Sequence, residues 1–333
     1  VYEKLMTHDG GVMKKFKNIL LVFDPKTKTQ SLIDQAESLA KDNAARITII
    51  SVVKDIPSDI SMAIVAMPPQ ELFALLVKER QAQVDALVSE MSKKSIKARA
   101  EVFRGSSFLE IIRQVLRKNH DLVMIAAEGK GGLRERLFGS TSMHLMRKCP
   151  CPVWVVKSMK SKNYQRVLAT VDTTRDYLDQ QHEQISLNPL IIQLACFMSR
   201  INKSELHVAQ VWSVYGEGYM SVRGGLSDES IKKYRRLARQ EYAHHIDKLL
   251  AGVDCGAVPV HKHLPRSEDV SKSILSIVKN KKIDLLVMGT VCRTGVAGFI
   301  IGNTAEKVLN MVDCSVLTVK PEGFVTPVKL EDV

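Results

Sequence analysis

Short runs of β-branched and other apolar residues recur along this chain, and between them apolar positions return every three or four residues. The first pattern predicts strands and the second amphipathic helices. In the first half the runs place strands at 18–24, 46–53, 99–104, 121–126 and 152–157, with helices near 29–42, 69–95, 107–118 and 140–148. The stretch PPQELFALLVKERQAQVDALVSEM opens on proline, which suits a first helical turn whose amide has no intrahelical acceptor. The second half follows suit, with strands near 166–172, 205–211, 257–262, 283–288 and 315–319. Strands alternating with helices imply a parallel, doubly wound sheet with both faces covered.

The pattern also repeats. HDLVMIAAEGKGGLRERLFGSTSMHLMRKCPCPVWVV (120–156) aligns without a gap on IDLLVMGTVCRTGVAGFIIGNTAEKVLNMVDCSVLTV (283–319), an offset of 163 residues. FKNILLVFD, ending at Asp24, matches YQRVLATVD, ending at Asp172, at an offset of 148, so the second copy carries about fifteen extra residues inside. The chain is therefore a tandem of two α/β domains, 14–158 and 163–321, with a linker near SMKSKNYQ and a tail over 322–333. The expected strand order in each five-stranded sheet is 3-2-1-4-5. The fifth strands, CPVWVV and CSVLTV, are expected to pair about a pseudo-twofold axis, because each would otherwise be an open edge.

Composition changes this picture little. A length of 333 residues suits two domains, and 45% hydrophobic with 25% charged residues is an ordinary globular balance. No apolar run approaches the ~20 residues of a membrane span. Lys14, Lys15 and Lys17 before NILLVF faintly resemble a signal peptide, but Asp24 closes the run early and a buried strand is the better reading. Residues 1–12 read as a loose leader. Six cysteines without CxxC spacing read as reduced thiols of a cytoplasmic protein. The formal charge of +12 lies mostly in the first half, yet aromatic residues are only 5%. Solvated helix faces are therefore expected rather than a nucleic-acid interface.

In a doubly wound sheet, ligands sit beyond the carboxyl ends of the strands where strand order reverses, here between strands one and four. Asp24 or Asp172 would end strand one, and a glycine-rich loop follows strand four in both copies. In the second copy that loop is MGTVCRTGVAGFIIGNTAEKVL, with Gly289, Thr290, Cys292, Arg293, Gly302, Asn303 and Thr304. In the first copy the matching positions are Ala126, Glu128, Gly129, Gly139, Ser140 and Thr141. Bare amides at a helix start attract a phosphate oxygen, and Ser140 and Asn303 are competent caps.

Glycine, two residues, glycine, nine residues, then glycine with serine or threonine resembles the nucleotide signature of the universal stress proteins, across both copies. The resemblance implies an adenine nucleotide α-hydrolase-like fold and ATP or AMP, with Mg2+ as a candidate companion, in members that keep the signature. It also implies that the strand-one aspartate holds the base-ribose end and that a valine late in strand two supplies backbone contacts. Those positions fall on Asp172 with Val211 and on Asp24 with Val52. Copy one departs at Ala126, adds a charge at Glu128 and stiffens its turn with Pro25; copy two departs at Cys292 and Asn303. Copy two is therefore expected to be the better site.

His261-x-His263 lies on an expected strand, where alternate residues share a face that zinc could use, but spacing offers no third or fourth ligand. His244 and His245 read as surface residues. No Walker A, nucleophile-elbow or zinc-protease pattern occurs, so no catalytic or metal residue is assigned. The expectation is a nucleotide-binding stress-response sensor. A slow ATPase is the enzymatic rival, and a scaffold or binder of another small molecule is the alternative if both sites are degenerate. Homo-oligomerisation stays open.

Overall fold

The computed structural model describes residues 16–55, 68–127, 138–159, 161–173, 187–214, 227–290 and 301–330. The chain divides into two compact units. Among the described residues, one holds those up to 162 with Ile301 and 322–330, and the other holds those from 163 to 290 with 302–321.

The N-terminal unit runs β1 (Asn18–Val22), α1 (Gln30–Asn43), β2 (Arg46–Val53), α2 (Pro69–Lys93), β3 (Ala98–Arg104), α3 (Ser107–Lys118), β4 (Leu122–Ala126), α4 (Ser140–Lys148) and β5 (Val153–Val156). Its strands lie in the order β3-β2-β1-β4-β5, and every pair is parallel. The central strands NILLV and LVMIA are buried throughout, as strands covered on both faces must be. The edge strand ARAEVFR is only partly buried, with Arg99 and Arg104 exposed. Gly105, at φ +129°, turns the chain from β3 into α3 in a conformation side chains rarely adopt.

The C-terminal unit runs β6 (Arg166–Thr170), α5 (Leu187–Asn202), β7 (Glu205–Ala209), α6 (Asp228–Ala251), β8 (Val260–His263), α7 (Val270–Asn280), β9 (Leu285–Gly289), α8 (Asn303–Met311) and β10 (Ser315–Val319). Its order, β10-β9-β6-β7-β8, is the same 3-2-1-4-5 arrangement. α6 and α7 begin with side-chain caps: Ser227 accepts the Ser230 amide at 3.2 Å, and Asp269 accepts the Lys272 amide at 2.9 Å. One fastening appears in both units. The Asp121 carboxylate accepts the amides of Lys17 and Asn18 at 2.7 and 3.0 Å, and the Asp284 carboxylate accepts those of Gln165 and Arg166 at 2.8 and 3.0 Å. Each carboxylate ties the entry of the fourth strand to that of the first.

Two expectations are corrected. The first strands of both copies end at Val22 and Thr170 rather than at the aspartates. After Phe23 donates to the Ile50 carbonyl at 2.8 Å, the chain leaves the ladder in the turn Asp24-Pro25-Lys26-Thr27, closed at 3.1 Å. Asp and Pro are favoured at its first two positions, so Pro25 builds this turn. Nor are all the cysteines reduced: Cys196 on α5 and Cys255 beyond α6 form a disulfide, with Cα atoms 5.0 Å apart. Cys149, Cys151 and Cys314 are buried and take no part in a disulfide. Among the described residues no helix is long and apolar enough to cross a membrane.

Candidate functional site

Beyond the carboxyl ends of β1, β2 and β4, the N-terminal unit contains a solvent-open crevice. Four positions singled out from sequence meet there: Asp24, Val52, Ala126 and Thr141. Val22, Ile111 and Ile125 supply apolar wall, and Thr27 and Ser107 supply hydroxyls. The Asp24 Oδ1 accepts the Lys26 amide at 2.9 Å, and the Thr27 hydroxyl donates to the Asp24 carbonyl at 2.9 Å. The turn thus fixes where the carboxylate stands.

Arg80, which the motif did not reveal, also lines the crevice. Its Nη1 donates to Ser51 Oγ at 2.8 Å, and that hydroxyl donates to the Phe23 carbonyl at 2.7 Å. Ser51 is fully buried at the end of β2, so the relay holds the guanidinium over the same strand ends that carry Asp24. Nothing in the chain marks Arg80, since it lies among charged residues of a long helix. Ser107 was better signalled, by the Gly-Ser-Ser run directly after β3.

Gly139 and Gly302 are the N-caps of α4 and α8, and no side chain caps either helix. This corrects the reading of Ser140 and Asn303 as caps; both are first helical residues. Asn303 and Thr304 are exposed and Gly302 half-buried. Gly129, Glu128, Cys292 and Arg293 lie outside the described residues.

In the C-terminal unit the equivalent strand ends are occupied differently. The Asp172 amide donates to Asn188 Oδ1 at 3.0 Å while Asn188 Nδ2 donates to the Asp172 carbonyl at 2.9 Å. Gln210 accepts the Thr173 amide at 2.7 Å and donates to the Val211 carbonyl at 2.9 Å. Thr290 is 1% exposed, and its hydroxyl accepts a hydrogen bond from Lys320. A Cβ on Gly289 would come 2.4 Å from Leu187 Cδ2 and 3.7 Å from Ile191 Cδ1. This glycine therefore admits α5 onto the sheet, a packing reason that applies without any ligand. Gly289→Ala is expected to cost about 1–2 kcal/mol by overpacking, and Leu187→Ala in the same chain should recover part of that loss in a double-mutant denaturation cycle.

A family model, the universal stress protein family, matches residues 15–157 and 190–320. The chain is 26% identical over 330 residues to universal stress protein E of Escherichia coli (strain K12), covering 96% of this chain and 99% of that protein. It is 25% identical over 325 residues to universal stress protein E of Photorhabdus laumondii, covering 95% and 99%. Among solved structures, PA1789 of Pseudomonas aeruginosa PAO1 superposes with a TM-score of 0.66 at 20% identity, covering 93% of this chain and 95% of that one. At that identity the likeness speaks for the fold. Two matched copies, each folded as a five-stranded 3-2-1-4-5 sheet, lead to one conclusion: the chain belongs to the universal stress protein family.

Proposed function

We propose that the chain is a cytoplasmic regulatory protein that binds an adenine nucleotide, ATP or AMP, with the N-terminal crevice as its principal site. The observation that carries this reading is the meeting of Asp24, Arg80 and Thr141 in one crevice with apolar walls. The residues present fit the parts of a nucleotide. Val52, Ile111 and Ile125 offer apolar surface to a base, and the Asp24 carboxylate can accept from ribose hydroxyls. Arg80 and the first amides of α4 suit a phosphate. A few polar groups on an apolar wall are the usual make-up of a small-molecule site. Mg2+ enters this reading as a companion of ATP. The resemblance to signature-bearing family members, which bind ATP or AMP, is the second support.

This reading moves the preferred site from the C-terminal copy to the N-terminal one. Gly289 is used by α5 and Thr290 faces Lys320, so two residues of the expected C-terminal site already serve the fold. Asp172, Val211, Arg293, Gly302, Asn303 and Thr304 remain the rival constellation.

Calorimetric titration with AMP and with ATP plus Mg2+ decides between them. The intact chain is expected to bind nucleotide at the N-terminal crevice. Asp24→Ala and Arg80→Ala should each weaken binding roughly tenfold or more, the order of one charge-assisted hydrogen bond, while Asp172→Ala leaves it unchanged. Binding abolished by Asp172→Ala alone transfers the site to the C-terminal copy, and no heat with either nucleotide at millimolar concentration ends the nucleotide reading. Prolonged incubation with labelled ATP separates binding from turnover, since hydrolysis lost in Asp24→Ala would make the crevice a slow ATPase.

A further inference from the structure

The C-terminal unit holds a second cluster of chemistry on the outer part of its sheet, away from the strand ends that bear Asp172. Glu205 and His207 lie two apart on β7, and His261 and His263 lie two apart on β8, so each pair shares a face. The parallel register sets His207 beside His261. Two pairs of groups separated by more than fifty residues of chain therefore meet on one face. Chain spacing alone left the His261-x-His263 pair without further ligands; the register of β7 with β8 supplies them.

The atoms that meet are metal-binding atoms. Glu205 Oε2 lies 3.5 Å from His207 Nε2 and 4.0 Å from His261 Nε2, and one ligand atom from each of the three residues lies within 4.8 Å of the others. Bonds of about 2.0–2.2 Å to a tetrahedral ion set ligand atoms about 3.3–3.6 Å apart; His207 and His261 are stacked with ring centroids 4.9 Å apart, so the exposed His261 ring would turn to aim its nitrogen at a shared ion. His207 is 5% exposed, and the nearest partner of its buried Nε2 is the Glu205 carboxylate oxygen at 3.5 Å, the outer limit of a hydrogen bond. A buried polar nitrogen left in that way calls for an explanation. Its other nitrogen, Nδ1, is 2.8 Å from His263 Nε2, the kind of contact that fixes the ring of a metal-bound histidine. The side chains of His261 and Glu205 are 49% and 44% exposed, which leaves an approach from solvent and room for water as a fourth ligand. Against the ion stands Arg166, whose Nε is 3.4 Å from the same Glu205 oxygen and would have to yield it.

We propose that Glu205, His207 and His261 form a binding site for a divalent cation of the zinc class, with His263 as the residue that positions His207. Two imidazoles and one carboxylate favour zinc, cobalt or nickel over the oxygen-preferring magnesium and calcium. Bound there, the ion joins the short edge strand β8 to its neighbour β7.

The test uses the full chain, stripped with a chelator and titrated with Zn2+ against a chromophoric competitor, and separately with Co2+, whose visible spectrum reports its ligands. One ion per chain is expected at this cluster. His261→Ala and Glu205→Gln, both at solvent-accessible side chains, should each lower affinity at least tenfold. His263→Gln should keep the ion but weaken it roughly tenfold and change the Co2+ spectrum, as loss of the group holding a metal-bound histidine's other nitrogen does. His244→Ala, on α6, should change nothing. The proposal is overturned if the chain takes up no Zn2+ in competition, if uptake is indifferent to both His261→Ala and Glu205→Gln, or if His244→Ala alone abolishes it.

Discussion

Opening the Cys196–Cys255 disulfide is expected to lower the stability of the C-terminal unit by about 4 kcal/mol, the chain-entropy value for a loop of this length. The bond joins residues 59 apart, so the unfolded chain regains most of the freedom of that loop when the bond is cut. Cys255→Ser gives the open state permanently. Cys255 is the better position to alter because it is half-exposed, whereas Cys196 is 2% exposed and a hydroxyl there would need a partner. The chain has two tryptophans, Trp154 in the N-terminal unit and Trp212 in the C-terminal unit. In a Trp154→Phe background, denaturant unfolding followed by Trp212 fluorescence should show a lower midpoint both after reduction and in Cys255→Ser. Equal midpoints, with the pair shown by alkylation to be open under reductant, would contradict the expectation. In a reducing compartment the same bond would open, and the reduced value is then the working stability.

Acid should weaken the N-terminal unit through His120. Its ring is fully buried. Burial is the main reason its pKa is lowered from 6.5 to about 4, with Arg99, Lys118 and Arg46 adding positive charge and a bond to the Asn18 carbonyl working the other way. Nδ1 lies 3.2 Å from that carbonyl, and Nε2 has no hydrogen-bond partner among the described residues. Above about pH 6.5 the ring is neutral in both folded and unfolded chains and contributes no pH dependence. As pH falls from there toward 4, the unfolded chain takes the proton first, and stability drops to a total loss of about 3 kcal/mol. Asp121 acts in the opposite sense. Burial raises its pKa, although the amides of Lys17 and Asn18 oppose this, so protonating it in acid favours the folded chain. His120→Phe isolates the histidine: the Asn18 carbonyl keeps the Asp121 amide at 3.1 Å as donor. In a Trp212→Phe background, unfolding followed by Trp154 fluorescence between pH 7 and 4 should then lose a large part of its slope, with His144, whose pKa burial also lowers, contributing in the same sense. An unchanged slope would assign the acid sensitivity to other groups.

These two effects differ in how far the chain announces them. The cysteines could be counted, but their pairing depends on α5 and the segment beyond α6 coming within 5.0 Å at Cα. His120 stands next to the start of β4, a strand obvious from LVMIA, yet its zero exposure follows from packing that no local pattern encodes. The candidate site divides in the same way. Asp24, Val52 and Thr141 were legible because each sits at a strand end or helix start that recurs in the other copy. Arg80 was not, because its guanidinium is placed by a hydrogen bond to Ser51, 29 residues earlier in the chain. Gly289 was legible as a glycine, but its packing role was not, since the group that needs its missing Cβ belongs to a helix a hundred residues upstream.

Apolar periodicity and turn residues are properties of neighbouring residues, and from them, with the repeat, came the alternation of strands and helices and the two copies; the 3-2-1-4-5 order came with the resemblance to the universal stress proteins. Which side chains then share a crevice, a sulfur–sulfur bond or a cluster of imidazoles was settled by folding. Strand register and helix crossovers bring such groups together from distant parts of the chain, and a sequence read in short windows contains no term for that distance.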